Sequence, residues 1–357
     1  MSEPKNAEKL SPKLNIKING EDLDLPAKFA IQKVEVSEDL EAVGMFSFQI
    51  IAWDMVKNKV TWIDSELFNI GNLIEIQMGY HNFFKTLIVG EIIGLEPEFS
   101  QESPSMLVVR GYDLGHRLMR GRKTRSFRQM KDSSIVEQIA RDLSIAVKVE
   151  DTKIKSEYVL QHNQTDWEFI QDRAKRIGYE VILINKTLNF RAKQNNKAKV
   201  LTLKYPDDLL DFSPRLSTIA QAGEVEIRAW DFKEKKAIVD RTIADNEKST
   251  MGKTSGAIAV TREFGRVSQS IVTQPVHSKE EAKQIALGQY QEMALTYITG
   301  EGSCLGNPDL RAGQVIEITG IGERFSGLYY VTATTHTYGR EEGYQTQFTV
   351  KRDATNY

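Results

Sequence analysis

The residues that most often carry catalysis or bind metals are scattered along this chain. Cys304 is the only cysteine, and no histidine lies near it in sequence, which favours a packing role over a nucleophilic one. The histidines lack the close spacing that places two metal ligands on one helix face. There are five of them, namely His81, His116, His162, His277 and His336. We therefore predict no catalytic residue, no metal site and no cofactor, and hence no enzyme.

Two glycine-containing segments imitate nucleotide-binding motifs. Met251-Gly-Lys-Thr254 matches the end of a phosphate-binding loop, but Glu247 occupies the position of that loop's first glycine and would repel phosphate. Gly320-Ile-Gly-Glu-Arg-Phe325 has Phe325 where a dinucleotide fingerprint has its third glycine, and a strand pattern follows it. Neither segment predicts a nucleotide site.

One stretch of the chain is strongly basic. We call its candidate docking residues the basic strip; they are Arg117, Arg120, Arg122, Lys123, Arg125 and Arg128. Fixed positive charge attracts acidic surfaces, so the strip is a candidate docking surface for an acidic partner protein or for nucleic acid. Aromatic residues are few there, which argues against stacking on single-stranded bases. The alternative is a solvated joint between two domains.

Composition places the chain among ordinary water-soluble proteins. It has 357 residues, with 47 basic and 49 acidic side chains and a formal charge of -2. That length predicts two to four domains. No run approaches the roughly 18 apolar residues of a spanning helix, and the charged N-terminal segment is unlike a secretory signal. We therefore expect that the chain does not insert into a membrane. We also expect that it is made in a reducing cytoplasm.

The spacing of apolar residues predicts strands at both ends of the chain and helices between them. Apolar and polar residues alternate through most of the first 113 residues, as in Phe46 to Ile50, which is typical of strands with one wet face. Residues 96–105 contain two prolines and are expected to form an exposed loop. Capping boxes are predicted at the starts of three helices, in the pairs Ser134/Glu137, Thr165/Glu168 and Ser278/Glu281.

Parts of the sequence occur twice in the same order. Ala52-Trp53-Asp54 reappears as Ala229-Trp230-Asp231, and Gly71-Asn-Leu-Ile-Glu-Ile76 is matched by Gly313-Gln-Val-Ile-Glu-Ile318. Each hexapeptide is followed by a strand pattern that ends in aspartate, at Asp113 or Asp353. We interpret this as a duplicated β domain. Its predicted core residues are Trp53, Trp230, Ile74, Ile76, Ile316 and Ile318.

These patterns predict an α+β, mainly β protein with two similar tube-forming β-barrel domains. The predicted boundaries are 1–115 for the first barrel domain, 116–198 for the joint and a small α/β domain, and 199–245 with 301–357 for the second barrel domain. A loop and a long helix, residues 246–300, are predicted to be inserted in that second barrel.

The order of these parts resembles the late control gene D proteins, the baseplate hubs of contractile phage tails, and is similar to the N-terminal part of VgrG from type VI secretion. The likeness runs from about residue 12 to residue 353. It is carried by the joint from Gly111 to Arg125 and most specifically by Gln164-Thr-Asp-Trp-Glu-Phe-Ile-Gln-Asp-Arg-Ala-Lys-Arg-Ile-Gly-Tyr179.

The resemblance implies a structural role in a tail or injection particle. Hubs of this family are homotrimers in which two barrels per chain give pseudo-sixfold symmetry, so that a hexameric inner tube protein can be joined to a trimeric spike protein beside the baseplate wedge proteins. VgrG proteins continue into a needle, whereas this sequence ends after the second repeat, so we expect the spike to be a separate protein. Whether the particle is a phage tail or an injection device stays open.

Two other functions remain open at this point. Carboxylates are abundant, so a cell-wall hydrolase carried on a tail is one alternative. A nucleic-acid or glycan-binding module that uses the basic strip is the other.

Overall fold

The computed structural model describes residues 11–54, 56–81, 83–231, 234–244, 249, 251–272 and 275–357. The N-terminal segment, Glu247 and part of the predicted insertion loop lie outside these residues. None of the described helices is both long and apolar enough to cross a membrane.

Strands form where the alternating pattern predicts them in the first third of the chain. Their apolar residues face a shared core, and the polar residues between them face outward. The elements are β1 (Pro12–Ile18), β2 (Glu21–Asp22), α1 (Leu25–Ala30), β3 (Ile31–Asp39), β4 (Met45–Ile51), β5 (Trp53–Asp54), β6 (Lys59–Val60), a 3-10 helix (Glu66–Phe68), β7 (Leu73–Tyr80), β8 (Phe83–Glu98) and β9 (Met106–Asp113).

The middle of the chain combines two helices with short strands. A 3-10 helix, Leu114–Met119, leads into it. The elements are β10 (Lys123–Lys131), α2 (Asp132–Asp142), β11 (Ala146–Val149), β12 (Lys155–Gln164), α3 (Asp166–Arg176), β13 (Tyr179–Ile184) and β14 (Thr187–Ala192). Their apolar faces share one core, which defines the middle unit of the protein.

The last part of the chain returns to strands around two helices. The elements are β15 (Leu201–Lys204), β16 (Leu209–Leu216), β17 (Glu224–Asp231), β18 (Lys236–Ile243), β19 (Thr254–Ser255), α4 (Gly256–Phe264), β20 (Ser268–Ile271), α5 (Lys279–Leu295), β21 (Ile298–Leu305), β22 (Val315–Thr319), β23 (Gly327–Gly339), β24 (Gly343–Arg352) and β25 (Ala354–Thr355).

The fold is mainly β, and thirteen strands join in one sheet. In the first β unit the strands pair in the order β1-β7-β8-β9-β4-β3, and in the second they pair in the order β15-β22-β23-β24-β21-β16. These are the same order, strand for strand, although β15 runs parallel to β22 where β1 runs antiparallel to β7. Among the described residues the main path of pairings is open, from β16 to β2, with no closed barrel.

Irregularities of the ladders repeat as well. A β-bulge displaces the register of a strand pair by one residue, so bulges at matching places mark matching residues. The matching shifts are Ile92/Gly94 with Val331/Ala333 on the long strands, and Ile31/Lys33 with Leu209/Asp211 on the outer strands. These ladders therefore align strands β7, β8, β9, β4 and β3 with β22, β23, β24, β21 and β16 residue by residue, although the shift between Ile76 and Gln77 on β7 has no counterpart on β22.

That alignment corrects two details of the sequence comparison. In the first unit Gly90 pairs with Asp113, and the ladders make Tyr329 the counterpart of Gly90. Tyr330 pairs with Lys351, so in an antiparallel ladder Tyr329 faces Arg352. The ladder counterpart of Asp113 is therefore Arg352 rather than Asp353. The tryptophan tripeptide does not mark matching strands either, because the counterpart of β4 is β21 and not β17.

The insertion in the second unit is longer than predicted. Strands β17, β18 and β20 form a separate three-stranded sheet, whose Ile227 and Ile238 pack against Ala282, Ile285 and Ala286 of α5. The insertion therefore spans 217–297, between β16 and β21, where the first unit has only the short connection 40–44. The predicted range 246–300 was wrong because the repeated tripeptide at Trp230 led us to assign β17 to the second barrel domain, whereas β17 belongs to the inserted sheet.

Two of the three predicted capping boxes lie at helix starts. At α3 the Thr165 hydroxyl accepts from the Glu168 N–H while the Glu168 carboxylate accepts from the Thr165 N–H, which confirms that box. The Ser278 hydroxyl likewise accepts from the Glu281 N–H at the start of α5. The box at Ser134 was wrong, since α2 begins at Asp132 without a side-chain cap.

Candidate functional site

The two β units meet along one strand pair, β3 with β23. The Leu40 N–H donates to the Thr332 oxygen at 3.0 Å, and the Arg340 N–H donates to the Gln32 oxygen at 3.1 Å. The pairs between these ends alternate between hydrogen-bonded and non-hydrogen-bonded, as in any antiparallel ladder. The junction is therefore a continuation of the sheet rather than a loose contact of two surfaces.

A buried ion pair fastens this junction. The Arg311 Nε donates to Glu38 Oε2 at 2.6 Å, and its Nη2 donates to the other carboxylate oxygen. Nη1 also donates to the Thr86 carbonyl at 3.1 Å, and Nη2 to the Leu87 carbonyl at 2.5 Å. One guanidinium thus links the loop before β22 to two strands, since Glu38 lies on β3 and the two carbonyls lie on β8.

His336 lies fully buried at the centre of the same junction, opposite Val36. Its Nε2 lies 3.0 Å from the Leu310 carbonyl, so that nitrogen carries the proton, and Nδ1 accepts from the Tyr344 hydroxyl at 2.8 Å. Burial, reinforced by the charge of Arg311, lowers the pKa of His336 to about 3. The imidazole is therefore neutral at physiological pH.

Most side chains of the basic strip pair with other residues of the same chain. Lys123 Nζ and Arg125 Nη2 each donate to the carboxylate of Asp166 at 2.6 Å, and Gln161 Nε2 adds a third bond at 2.9 Å. Asp166 is only 2% exposed and begins α3, inside the segment that carries the family resemblance. These cations therefore hold the β10–β12 ribbon to α3.

The remaining cations of the strip have similar partners. Arg122 pairs with Glu168 at 2.9 Å, and Arg117 donates to Glu91 at 3.1 Å. Burial would raise the pKa of Glu91, but hydrogen bonds from Arg117 and His116 hold it below its usual value. Arg120 donates to His116 Nδ1 at 3.3 Å.

Arg128, which is exposed, is the one residue of the strip that has no polar partner among the described residues. Five of the six predicted docking residues thus have intramolecular partners, and the structure gathers no continuous free cationic surface from them.

The predicted core residues of the repeat have different environments. Ile74, Ile76, Ile316 and Ile318 are fully buried, on the matching strands β7 and β22. Trp53 is half-buried in the small β5–β6 ribbon, and Trp230 is 52% exposed on the inserted sheet. The prediction that the two tryptophans share equivalent core positions was wrong, because they lie on strands of different sheets.

The two segments that imitate nucleotide-binding motifs have structural roles. Thr254 pairs with Thr355 in the β19–β25 ribbon, and the Lys253 N–H donates to the Thr355 oxygen. The segment 320–325 forms the turn from β22 to β23. In the described part of the chain, no group of three or more histidine, cysteine, aspartate or glutamate side chains is arranged to hold a metal ion.

The junction and its fastening residues were not predicted from the sequence. Arg311 lies two residues before Gly313, the start of the repeated hexapeptide, while Asn69 holds the corresponding position before Gly71. A charged residue in only one copy of a repeat was the available signal. Its partner Glu38 lies 273 residues away, and no local pattern connects them.

Comparison with solved structures shows where this fold occurs. A 43 kDa tail protein of prophage MuSo2 from Shewanella oneidensis has a TM-score of 0.71 at 15% identity, covering 96% of this chain and 98% of that chain. A tail protein from Neisseria meningitidis MC58 has a TM-score of 0.68 at 14% identity, with coverages of 96% and 97%.

A type VI secretion component, the E. coli protein c3393, is described as structurally similar to the T4 bacteriophage tail proteins gp27 and gp5. It has a TM-score of 0.63 at 15% identity, covering 96% of this chain and 78% of that chain. At such identities the likeness establishes the fold alone, and it is a fold of phage tail and type VI secretion proteins.

No curated protein matches the sequence significantly. A family model does match it: the model described as the Alg8 N-terminal domain covers residues 8–339, which is nearly the whole chain. The chain therefore belongs to the Alg8 N-terminal domain family.

Proposed function

We propose that this protein is the structural hub of a contractile phage tail or of a phage-derived contractile injection system, as in the late control gene D proteins that its sequence resembles. It acts as a homotrimer with pseudo-sixfold symmetry and joins a hexameric inner tube to a separate trimeric spike. The carrying observation is the duplication: two β units with the same strand order and two matching bulges lie side by side in one sheet.

Symmetry explains why such a duplication suits this function. Three chains carry six β units, so one side of the trimer offers six near-equivalent contacts to a hexameric tube ring. The middle unit and the insertion 217–297 occur once per chain, so the parts built from them repeat three times and suit a threefold spike. In the assembled trimer each β unit curls into a tube-type barrel around a channel.

The comparisons support this proposal without extending to its details. The solved structures with this fold include phage tail proteins, and a chain of the Francisella PdpA-VgrG complex also shares the fold, with a TM-score of 0.54 at 9% identity. Partners proposed for this chain are further copies of itself, the tube protein, the spike protein and the baseplate wedge proteins. It assembles in the cytoplasm and then forms part of the particle, and it carries out no catalysis.

The basic strip does not favour a nucleic-acid-binding function. Five of its six cations already have intramolecular partners, and a phosphate backbone would have to compete with carboxylates such as the buried Asp166. We assign the strip to the joint between the first β unit and the middle unit.

Electron cryomicroscopy of an assembled particle that contains this chain tests the proposal. Density for three copies is expected between the last tube ring and the spike, with the six β units facing the tube. Location of the chain in a fibre, a sheath or an adhesin, or its absence from the particle, would refute the hub function.

A further inference from the structure

Two of the unpaired strand edges of the main sheet lie on β16 and on the last part of β8. Within the described residues β16 pairs only with β21, and the part of β8 from Gly94 to Glu98 pairs only with β9. The ladder alignment makes β16 the counterpart of β3, and makes this part of β8 the counterpart of the β23 segment that pairs with β3. The two open edges are thus the counterparts of β3 and β23, the two strands that pair with each other inside the chain.

The internal junction supplies the register for joining the open edges. Inside the chain Thr334 faces Glu38, Thr335 faces Ser37, and His336 faces Val36. The ladders and their bulges match each of these β23 residues to a residue near the end of β8, and each of these β3 residues to a residue of β16. The resulting opposed pairs are Leu95/Leu216, Glu96/Arg215, Pro97/Pro214, Glu98/Ser213 and Phe99/Phe212.

In this register one face of the joined edges is entirely apolar. The core-facing row consists of Leu95, Pro97, Phe99, Phe212, Pro214 and Leu216. In the single chain none of these side chains is buried, and Phe99 is 66% exposed. At the internal junction the counterparts Val36 and His336 are completely buried. Joining the edges would bury the apolar row in the same way.

The opposite face of the joined edges is complementary in charge. Glu96 and Arg215, both exposed, come directly opposite each other. Their counterparts at the internal junction, Ser37 and Thr335, bring their hydroxyl oxygens to 3.1 Å, so side chains at this pair are in contact distance. Within the chain Glu96 also accepts from Arg110 at 2.8 Å, which places its carboxylate on this face.

Each open edge also carries one proline, and the two prolines fall opposite each other. The Ser217 N–H donates inward to the Tyr297 oxygen at 3.0 Å, so the alternate residues of β16, including Pro214, direct their backbone groups to the open edge. Pro97 corresponds to His336, whose backbone faces β3. Proline lacks an N–H, so this register confines the missing bonds to one pair and leaves bonded pairs on both sides.

We propose that the open edge of β16 pairs with residues 94–99, the end of β8 and the residue after it, in a second copy of this chain, in the register given above. This rests on the proposed hub function and identifies the contact that closes the ring of copies. The contact is heterologous, because β16 of one copy meets β8 of the next, and three such contacts close a trimer with six alternating junctions. A proline on each open edge also discourages pairing with unrelated strands, because it removes one N–H donor from that edge.

Cysteine cross-linking tests the register. Directly opposed residues of a non-hydrogen-bonded pair lie about 4.5 Å apart at Cα, within reach of a disulfide. The variant Glu96→Cys with Arg215→Cys should therefore yield covalent dimers and closed trimers on mild oxidation. Glu98→Cys with Ser217→Cys is the matched control, four residues out of register, and should not cross-link. The native Cys304 is buried and does not compete.

The outcomes separate this contact from the hub proposal. Wild-type trimers without cross-linking of the first cysteine pair would overturn the β16–β8 contact and leave the hub function standing. Wild-type chains that remain monomers, alone and with spike protein, would overturn both.

Reversal of one charge gives a second readout that does not depend on cysteine chemistry. Arg215→Glu should weaken association of the copies by about tenfold, because it places like charges opposite each other. Adding Glu96→Arg should restore most of the association. Unchanged association in Arg215→Glu, with an unchanged melting temperature, would contradict the register.

Discussion

Arg311 and Glu38, 273 residues apart in sequence, form a two-pronged ion pair that ties the second β unit to the first. Both side chains are largely buried, at 18% and 10% exposure. The pair lies beside the strand junction that carries the internal symmetry of the chain. The free energy of unfolding that is lost when this ion pair is removed therefore measures how strongly the pair holds the two units together.

Loss of Arg311 should destabilise the protein strongly. Arg311→Ala leaves the buried Glu38 carboxylate and the Thr86 and Leu87 carbonyls without their donors, and we expect the free energy of unfolding to fall by about 3–5 kcal/mol. Urea denaturation measures the change. Lys33→Gln, which removes the exposed pair of Lys33 with Glu35, is the control and should cost less than about 1 kcal/mol. Equal effects of the two variants would contradict the role of Arg311.

Stability should fall in acid because of His336. Its pKa is about 3 in the folded protein and near 6.5 in the unfolded chain, so below pH 6.5 the unfolded chain takes up a proton that the folded protein does not. The contribution is complete above pH 6.5 and is lost as the pH falls toward 3.

Denaturation at a series of pH values measures this dependence in the wild type and in His336→Gln. The variant should show a shallower loss of stability between pH 6.5 and 3, while replacement of the exposed His162 by glutamine should leave the slope unchanged. An identical slope in His336→Gln would show that another group is responsible.

The joint should depend on Asp166 and not on the exposed end of the basic strip. Asp166→Asn removes the charge that Lys123 and Arg125 share, and we expect a loss of about 2–4 kcal/mol in the free energy of unfolding. Arg128→Gln should change stability by less than about 0.5 kcal/mol. A neutral Asp166→Asn variant, by thermal or urea unfolding, would mean that the carboxylate does not hold the joint.

Local patterns predicted the mainly β class, the placement of most strands and two helix caps. The alternation in Phe46–Ile50 and the Thr165/Glu168 box depend on interactions within a few residues, which sequence spacing records directly. The hexapeptide repeat was informative for the same reason, since Ile74 and Ile316 occupy matching buried strand positions.

Features that depend on distant pairing could not be predicted in this way. Trp230 repeats a tripeptide but lies on an inserted sheet, because the pairing partner of a strand is set by the whole fold and not by three residues. The sequence shows the basic strip as a run of positive charges, but its partners Asp166 and Glu91 lie elsewhere in the chain and come next to it only in the fold. Pro97 was expected in a loop, yet β8 continues to Glu98, since a proline is tolerated where its nitrogen faces an open edge.

Removal of the two edge prolines should tighten self-association. Pro97→Val with Pro214→Val restores two N–H donors at the centre of the proposed β16–β8 contact, and we expect association to strengthen by about tenfold or more. Sedimentation of a dilution series measures it. Pro104→Val, in the loop before β9, is the control for general effects of proline removal and should leave association unchanged. Weaker association in the double variant would contradict the proposed contact.

The mass of the native assembly tests the hub proposal most directly. Native mass spectrometry of the full chain, alone and after addition of its spike protein, should show a species of three times the 40.5 kDa chain mass in at least one condition. A monomer in both conditions, or a closed assembly of any number other than three, would contradict the proposal that three duplicated chains form a sixfold collar.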